Sequence, residues 1–553
     1  MKQKVIFLLV AVAVLVSSCK KFLETTPLSN NTGETFYNTE KQVMSALAGV
    51  YDRLSRSQTY GDQMLGRMGL DADEVYFNNS AITGVAVNVA SSTDVNIANN
   101  YAFWYDGINR ANTLLENLDK AVMSEENRKV VRGEALFLRG YFHFMLVLYW
   151  GDVPLMIRTV KSANDVYAER TPSKVVYQQI IDDMTEAESL VKTATQVGFG
   201  GRINKSAVRG ILARVCLQMA GAPLNETSRY KDARDWAFKV IDSREHSLNP
   251  SYQDIFIKYC TDKYDIKESI WELEFQGNAT DGFQETGRVG SNNGIVYAGT
   301  DPNYGYSYGY LRVTGRFWYL FDSPTALLSE DERRDWSVAP YTTTLTPVLE
   351  TNYTTAQVYE RSSGKWRREL EVVNPKTNNW GPINFPMLRY ADVLLMFAEA
   401  ENKLNGSPTT AAIDAVNLVR RRAYGKDLIG ESLRMVQIAN GGTVNYTTAP
   451  EVVFTGGGGT GAVGRAFISA GKVIRVKMVA EGSGYTTAPA ISFVGGGGSG
   501  ATATALLSKR ATSTYAITTA QATLVDAFQL LIEDERSREL SFECLRKADL
   551  IRW

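Results

Sequence analysis

The chain has 553 residues, of which 44% are hydrophobic and 22% are charged, a globular composition with enough apolar material for a large core. Lys and Arg total 59 and Asp and Glu total 60, and this near-neutral balance argues against a nucleic-acid partner, which would need a surplus of cations to displace counterions. Only two histidines are present, His143 and His246, so the sequence predicts no metal site and no cofactor.

The first residues have the pattern of a secretory signal peptide. Lys2 and Lys4 precede an apolar run over 5–16, which is shorter than the roughly 20 residues needed to span a bilayer. The run ends in small residues before Cys19, and this segment resembles the lipobox of bacterial lipoproteins, in which the cysteine is acylated. We therefore predict a signal peptide over 1–18 and a lipid anchor on Cys19. A plain secretory signal with an incidental cysteine is the alternative.

Helical periodicity dominates the chain. Apolar residues recur at helical spacing over 40–55, 101–120, 125–149, 173–193, 204–220, 229–243, 389–405, 409–423 and 524–540. Several of these segments form pairs joined by short loops, and small residues such as Ala207 and Ala398 permit close helix contact. The pattern predicts a mainly α fold with a tetratricopeptide-like helix-pair scaffold. A strict repeat of about 34 residues is absent, so a regular repeat protein is not predicted.

The helical pattern breaks down between about 244 and 386. One short strand is predicted over 269–275, and the rest of the region is rich in Gly, Asn, Tyr and Pro. Long irregular loops inside an ordered protein are commonly functional. We therefore expect the loop around 280–319 in this region, together with the loop around 71–100, to form the ligand-binding site.

An aromatic run is the sharpest feature of the irregular region. It comprises Tyr297, Tyr304, Tyr306, Tyr308, Tyr310, Phe317, Trp318 and Tyr319. Aromatic rings stack on the apolar faces of sugar rings, while neighbouring polar side chains bond the hydroxyl rim. Among these residues, we predict that Tyr304, Tyr306 and Tyr308 contact a ligand, with Asp73 as a polar partner. Phe317 and its helical neighbours are predicted to be core.

A two-unit repeat interrupts the helical pattern near the C-terminus. The segment YTTAPEVVFTGGGG, which starts at Tyr446, recurs 39 residues later as YTTAPAISFVGGGG, which starts at Tyr485. Alternating Val, Ile and Thr around Gly runs predict short strands and turns, hence a β-rich two-repeat insert over 431–515. The Gly runs contain GxGxxG, but no helix pattern follows them as a dinucleotide site requires, and we interpret them as β-turns.

Clustered carboxylates offer one catalytic hypothesis. Asp71, Asp73 and Glu74 could belong to a surface glycoside hydrolase, which needs two carboxyl groups facing each other across a cleft. The chain lacks a G-x-S-x-G elbow and an HExxH pair. We therefore predict no catalytic residue and no enzymatic activity, and keep the hydrolase as an alternative. An adhesive or structural surface protein, with the β insert as its contact module, is a further alternative.

Several segments, in order along nearly the whole chain, together resemble the SusD/RagB family of outer-membrane lipoproteins. They are CKKFLETTP after the lipobox, INRANTLLENL (108–118), VRGEALFLRGYFHFMLVLYWGDVPL (131–155), RTPSKVVYQQIIDDMTEAESL (170–190), GRINKSAVRGILARVCLQ (201–218), FPMLRYADVLLMFAEAENKLNG (385–406), AVNLVRRRA (415–423) and IEDERSRELSFECLRKADLIRW (532–553). These segments identify the scaffold and leave the ligand open.

The resemblance implies a lipid-anchored protein on the outer-membrane cell surface. It implies a tetratricopeptide-like scaffold that binds a nutrient, with an oligosaccharide expected, and delivers it without catalysis to a SusC-like TonB-dependent transporter. The scaffold and its loops would occupy 19–430 and resume over 516–553. Two departures are the 431–515 insert and the end of the chain at Trp553, beyond which we expect further residues.

Overall fold

The structure, a computed structural model, describes residues 36–70, 72–78, 84–162, 167–280, 285–321, 324–346 and 348–553. The predicted signal peptide, Cys19 and Asp71 lie outside these ranges. Within these ranges, no helix combines the length and the apolar character that crossing a membrane would require.

Long helices form the scaffold of the described chain. Those of seven or more residues are α1 (Glu40–Ser55), α2 (Val95–Asn117), α3 (Glu125–Trp150), α4 (Ser173–Leu190), α5 (Lys205–Ala220), α6 (Arg229–Asp242), α7 (Tyr252–Cys260), α8 (Tyr390–Asn405), α9 (Thr410–Ala423), α10 (Val525–Leu540) and α11 (Arg546–Arg552). The mainly α fold predicted from the sequence is confirmed.

Helix ends follow local capping chemistry. Thr39 caps α1 in a reciprocal capping box with Gln42. The helix predicted over 101–120 begins earlier, at Val95, because the Asp94 side chain accepts the Asn96 N–H at 2.8 Å. Helix α7 lies in the region predicted to be irregular; it has only nine residues, too few for periodicity to stand out.

The helices pack as neighbouring pairs around one core. Helix α3 contacts α2 and α4, α5 contacts α4 and α6, and α8 contacts α6, α9 and α10. The side chain of Trp104 on α2 is fully buried and its ring lies 5.8 Å from that of Phe142 on α3. His143 and Cys216, which lie in apolar helical segments, are also buried. The helix-pair scaffold is therefore built on burial of apolar stripes.

A buried ionic cluster ties the C-terminal helices to the rest of the scaffold. Glu539 on α10 accepts from Arg389 at 2.8 Å and from Arg422 at 2.6 Å, and all three side chains are fully buried. Glu268 accepts from the same two arginines at 2.8 and 2.9 Å. Buried charges are tolerated when each is paired, and this cluster pairs them across distant parts of the sequence.

Strands in the region between α7 and α8 form short antiparallel ribbons, one of them with a strand that precedes α2. They pair β1 (Val75–Phe77) with β3 (Leu311–Val313), β2 (Ser269–Leu273) with β6 (Phe385–Arg389), and β4 (Tyr341–Leu345) with β5 (Val348–Asn352). Strand β2 falls within the strand predicted over 269–275. The β1–β3 ribbon joins two loops that are more than two hundred residues apart in sequence, with Phe77 opposite Leu311.

The repeated segment near the C-terminus folds as a six-stranded unit. Its strands are β7 (Leu433–Val444), β8 (Glu451–Thr455), β9 (Thr460–Ser469), β10 (Lys472–Ser483), β11 (Ala490–Val494) and β12 (Ser499–Leu507), in the spatial order β11-β8-β9-β10-β7-β12. The two edge strands of that order, β11 and β12, also lie against each other. We call this unit the β insert.

The two sequence repeats interlock inside the β insert. Tyr485 of the second repeat packs on the Gly run of the first, and the Thr486 N–H donates to the Gly457 carbonyl at 2.9 Å. Tyr446 of the first repeat packs likewise on the Gly run of the second, and the Thr447 N–H donates to the Gly496 carbonyl at 2.8 Å. The Gly runs are therefore turns of a pseudo-symmetric β unit, as predicted.

Candidate functional site

The β1–β3 ribbon brings the aromatic loop next to the loop after Asp73. Tyr310 immediately precedes β3, and its carbonyl accepts the Asn78 N–H at 2.7 Å. The Tyr310 ring stacks on Phe77, with centroids 5.4 Å apart and planes 26° apart. Tyr310, a member of the aromatic run, is thus joined to Phe77, which no sequence pattern marks as a site residue.

Four rings form a continuous surface, which we call the aromatic row: Phe77, Tyr310, Tyr308 and Tyr306. The rings of Tyr308 and Tyr310 stack 4.8 Å apart, and Tyr306 meets Tyr308 edge-on at 5.0 Å. All four side chains are half-buried, so each is fixed on one side and open on another. The faces by which Tyr308, Tyr310 and Phe77 stack cover one another, so the row offers a ligand ring edges, phenol hydroxyls and the remaining open faces.

Polar and cationic groups border the row beside Tyr308. The Tyr308 hydroxyl donates to the Asn379 side-chain carbonyl. The Arg288 guanidinium lies 5.9 Å from the Tyr308 ring centroid and 5.0 Å from that of Trp380. Asp62 accepts from Arg288 at 3.1 Å and fixes this cation in place. Amide and guanidinium groups beside ring faces are the combination that bonds the hydroxyl rim of a sugar.

Tyr304 points away from the row. Its ring lies 5.1 Å from that of Tyr297, and the Lys477 ammonium of the β insert lies 5.7 Å from its centroid. Burial raises the pKa of the Tyr304 hydroxyl, whose oxygen is buried without a hydrogen-bond partner among the described residues. Tyr306 and Tyr308 therefore share one surface, whereas Tyr304 lies at the junction with the β insert.

Asp73 lies at the opposite end of the β1–β3 ribbon from the row. The Thr314 hydroxyl donates to the Asp73 carbonyl at 2.6 Å, just beyond the end of β3. The Asp73 carboxylate accepts hydrogen bonds from Arg546 at 2.8 and 2.9 Å and lies 2.7 Å from the Arg316 guanidinium. Burial alone would raise the pKa of Asp73, but these two guanidiniums outweigh it and hold the pKa below its ordinary value. The structure thus places Asp73 in an ion-pair cluster, apart from the tyrosines.

A cavity of about 260 Å³ opens beside Phe77. Its walls include Leu70, Val75 and Leu311, with Arg67 and Asn88 as polar members. The cavity and the aromatic row share Phe77, so a ligand that crosses the row can place one group inside the cavity.

Sequence reasoning missed most partners of the predicted tyrosines. Tyr310 continues the alternation of Tyr304, Tyr306 and Tyr308, and that spacing was the available signal. Phe77 and Trp380 are distant in sequence and reach the site only through the β1–β3 ribbon and the loop before β6. No local pattern marks them as site residues.

Comparisons with known proteins agree with this architecture. A family model described as "Starch-binding associating with outer membrane" matches residues 21–217, and the SusD family model matches residues 267–431. The SusD-like protein P25 of Formosa agariphila is 26% identical over 459 residues, covering 74% of this chain and 79% of that protein. The chain is also similar to the crystal structure of a SusD homolog from Bacteroides thetaiotaomicron, with a TM-score of 0.73, 23% identity, and coverage of 94% of this chain and 87% of that one. A laminarin-binding SusD-like protein gives a TM-score of 0.57 at 16% identity, with 93% and 92% coverage.

Proposed function

Since this chain belongs to the SusD/RagB family, we propose that it captures an oligosaccharide at the cell surface and delivers it to a SusC-like TonB-dependent transporter. The aromatic row is the observation that carries the first half of this proposal. Its half-buried rings form an apolar strip with Arg288 and Asn379 at the edge, and this combination suits the apolar patches and hydroxyl rims of a sugar chain.

Capture on this surface needs little rearrangement. Tyr308 is held by its hydroxyl bond to Asn379 and by the ring of Tyr310, and Tyr310 is held by Phe77. Rings that are already fixed lose little conformational entropy on binding, so more of the stacking energy appears as affinity. In this proposal the sugar contacts the four rings of the aromatic row. Tyr304 does not contact the sugar and packs against Tyr297 and the Lys477 ammonium.

The state of Asp73 supports binding over hydrolysis. A general acid in a glycosidase needs a raised pKa and a second carboxylate across the cleft. Asp73 has a lowered pKa and is bonded to Arg546 and Arg316, so it is poorly placed to donate a proton at neutral pH. Burial raises the pKa of Glu74 to about 7, but this side chain is buried in the core and accepts the Phe542 N–H at 3.1 Å, so it does not face a cleft. We therefore propose that the ligand leaves the surface chemically unchanged.

The membrane link in this proposal is an acyl chain on Cys19, after removal of 1–18. The helical scaffold over 19–430 and 516–553 would present a rigid face to the transporter, while the loops that hold the aromatic row face the ligand. The β insert would be an added unit over 431–515. Its interlocked repeats make it a compact unit. Lys477 attaches it to Glu350 on β5, and Arg434 attaches it to Asp335 in the chain before β4.

A titration of the full chain against a panel of oligosaccharides tests capture. Calorimetry should show saturable binding to at least one member, and assays for new reducing ends should show none during the same incubation. Failure to bind any member of a broad panel, or release of reducing ends, would contradict the proposal.

Delivery has a separate test in the native membrane. Affinity purification of the tagged lipoprotein should bring down a TonB-dependent transporter, and Cys19→Ala should abolish both the membrane association and this capture. A wild-type purification without such a transporter would contradict the delivery step while leaving sugar capture intact.

A further inference from the structure

Arg67 lies in the wall of the cavity beside Phe77, where the described part of the chain gives it no partner. Its half-buried side chain lines this cavity of about 260 Å³ together with Asn88 and apolar residues. Among the described residues, it makes no ion pair and no side-chain hydrogen bond. Most arginines that line the scaffold and its loops are paired with carboxylates or carbonyls, as Arg288 is with Asp62, so this free guanidinium stands out.

The backbone around the cavity is arranged to hold Arg67 there. Residues Met64–Met68 form a single π-helical turn in which Arg67 is the one member that is not fully buried. π-turns are rare and occur frequently at functional sites. Opposite, Asn88 adopts φ 58°, a left-handed conformation that costs free energy, and its side chain is exposed. Arg67 in the π-turn and Asn88 in the left-handed conformation thus both line the cavity.

The described carboxylates near the cavity are bonded to groups other than the Arg67 guanidinium. Asp62, one turn before Arg67, is bonded to Arg288 at 3.1 Å and to Asn292 at 2.7 Å. Asp94 is used to cap α2. Asp73 and Glu74, which follow the cavity-lining Ala72, are bonded to Arg546 and to the Phe542 N–H. None of these four carboxylates bonds Arg67, whose donors have no acceptor among the described residues.

We propose that this cavity takes the anionic group of an acidic sugar unit, a uronate carboxylate or a sulfate ester, while neighbouring units of the chain lie on the aromatic row. This assignment rests on the proposed function and narrows its substrate class. A guanidinium offers parallel N–H donors that match two oxygens of a carboxylate or sulfate. Phe77, shared by the cavity and the row, sets the two subsites side by side.

The test compares matched acidic and neutral ligands on the full chain. Calorimetry would use oligogalacturonates with their methyl esters, sulfated chondroitin oligosaccharides with their desulfated forms, and neutral β-glucan and α-glucan oligosaccharides. The same panel would be run with Arg67→Met, with Arg67→Lys, and with Arg158→Met as a control. Arg158 is exposed and lies outside the cavity lining.

We expect the tightest ligands to be acidic and to lose at least about tenfold in affinity on methyl esterification or desulfation, whichever applies. Arg67→Met should cause a comparable loss for the acidic ligand and change neutral ligands less than twofold. Arg67→Lys should retain part of the affinity, and Arg158→Met should retain all of it. The two acidic series show whether the group is a carboxylate or a sulfate.

Different contrary results would count against the acidic-sugar assignment and against oligosaccharide capture. Tight binding of neutral oligosaccharides only, or acidic binding that Arg67→Met leaves unchanged, would overturn the acidic-sugar assignment while sugar capture stands. Absence of binding to every member of the panel would overturn both. Equal thermal unfolding temperatures for wild type and Arg67→Met would show that the variant is folded; a variant that unfolds early would be replaced by Arg67→Lys in the same comparison.

Discussion

Tyr308 and Tyr310 stack with their ring centroids 4.8 Å apart and their planes inclined by 17°. Gly309 lies between them with φ 59°, in the left-handed region. A Cβ at Gly309 would lie 2.5 Å from Val296 side-chain atoms, so the chain passes too close for any other residue. This pair is the centre of the aromatic row, because Tyr306 extends it on one side and Phe77 on the other.

Replacing Gly309 should therefore disturb the row. We expect Gly309→Ala to lower the free energy of unfolding by about 1–3 kcal/mol through left-handed strain and overlap with Val296. It should also weaken oligosaccharide binding, because the two rings shift apart. Gly406→Ala is a matched control: φ is 64° and no atom lies within 4 Å of the added Cβ, so only strain applies. Unfolding by urea and calorimetric titration would measure both effects, and unchanged affinity in Gly309→Ala would contradict the role of the stack.

Asp73 should prove structural. We expect Asp73→Asn to lower the free energy of unfolding by about 1–3 kcal/mol, because Arg546 and Arg316 lose a charged acceptor. Affinity for the oligosaccharide should stay within twofold, since the carboxylate lies at the far end of the β1–β3 ribbon. Asp526→Asn, at a side chain that is 96% exposed, should change neither quantity. Loss of oligosaccharide binding with unchanged stability would show that Asp73 belongs to the ligand site.

The helical scaffold could be predicted from the sequence because the residues on the buried face of a helix recur at regular spacing. Helices such as α3 show their buried stripe as regularly spaced apolar residues, and Gly151, with φ 68°, marks the end. The interlocking of the two β repeats was not accessible, because the swapped contacts of Tyr446 and Tyr485 depend on tertiary pairing.

The site was accessible only in part. Aromatic density selected Tyr306 and Tyr308, but composition gives no orientation, and Tyr304 in the same run faces the β insert. Asp73 was selected for its carboxylate, and its arginine partner Arg546 lies over four hundred residues away in the sequence. Contacts of that range leave no local pattern in a single sequence.

The attachment of the β insert should depend on Lys477. Its ammonium bonds Glu350 at 2.9 Å and also contacts Glu369, and Glu350 is fully buried. We expect Lys477→Met to lower the free energy of unfolding by about 2–4 kcal/mol, because it leaves buried carboxylates short of a counter-ion. Lys509→Met, at an exposed lysine, serves as the control. Thermal unfolding would report the difference, and equal stability of the two variants would show that other contacts hold the insert.

Two buried carboxylates of α10, those of Glu535 and Glu539, should make the stability of the fold sensitive to acid. Burial would raise the pKa of Glu535, but Arg333, Arg420 and Arg538 outweigh it and lower the pKa to about 2. Burial would likewise raise the pKa of Glu539, which Arg422, Arg389 and Arg333 lower instead. A carboxylate with a lowered folded-state pKa stabilises the fold above its unfolded value and loses that contribution as the pH falls.

Stability should consequently fall as the pH drops from about 4.5 towards 2. Glu539→Gln should be less stable than wild type at pH 7 by about 3–5 kcal/mol, since three arginines then face an uncharged side chain, and its stability should vary less with pH in this window. Urea unfolding at a series of pH values would measure both curves, and parallel curves would contradict the assignment.

The central claim is that the aromatic row is the surface on which the oligosaccharide binds. The most direct measurement is a calorimetric titration of the tightest ligand into wild type, into the double variant Tyr308→Ala/Tyr310→Ala, and into the control Tyr167→Ala/Tyr319→Ala, whose side chains are 88% and 65% exposed outside the row. We expect the affinity to fall about tenfold or more in the first variant and to stay unchanged in the second. Equal affinity of wild type and the row variant, with both folded, would contradict it.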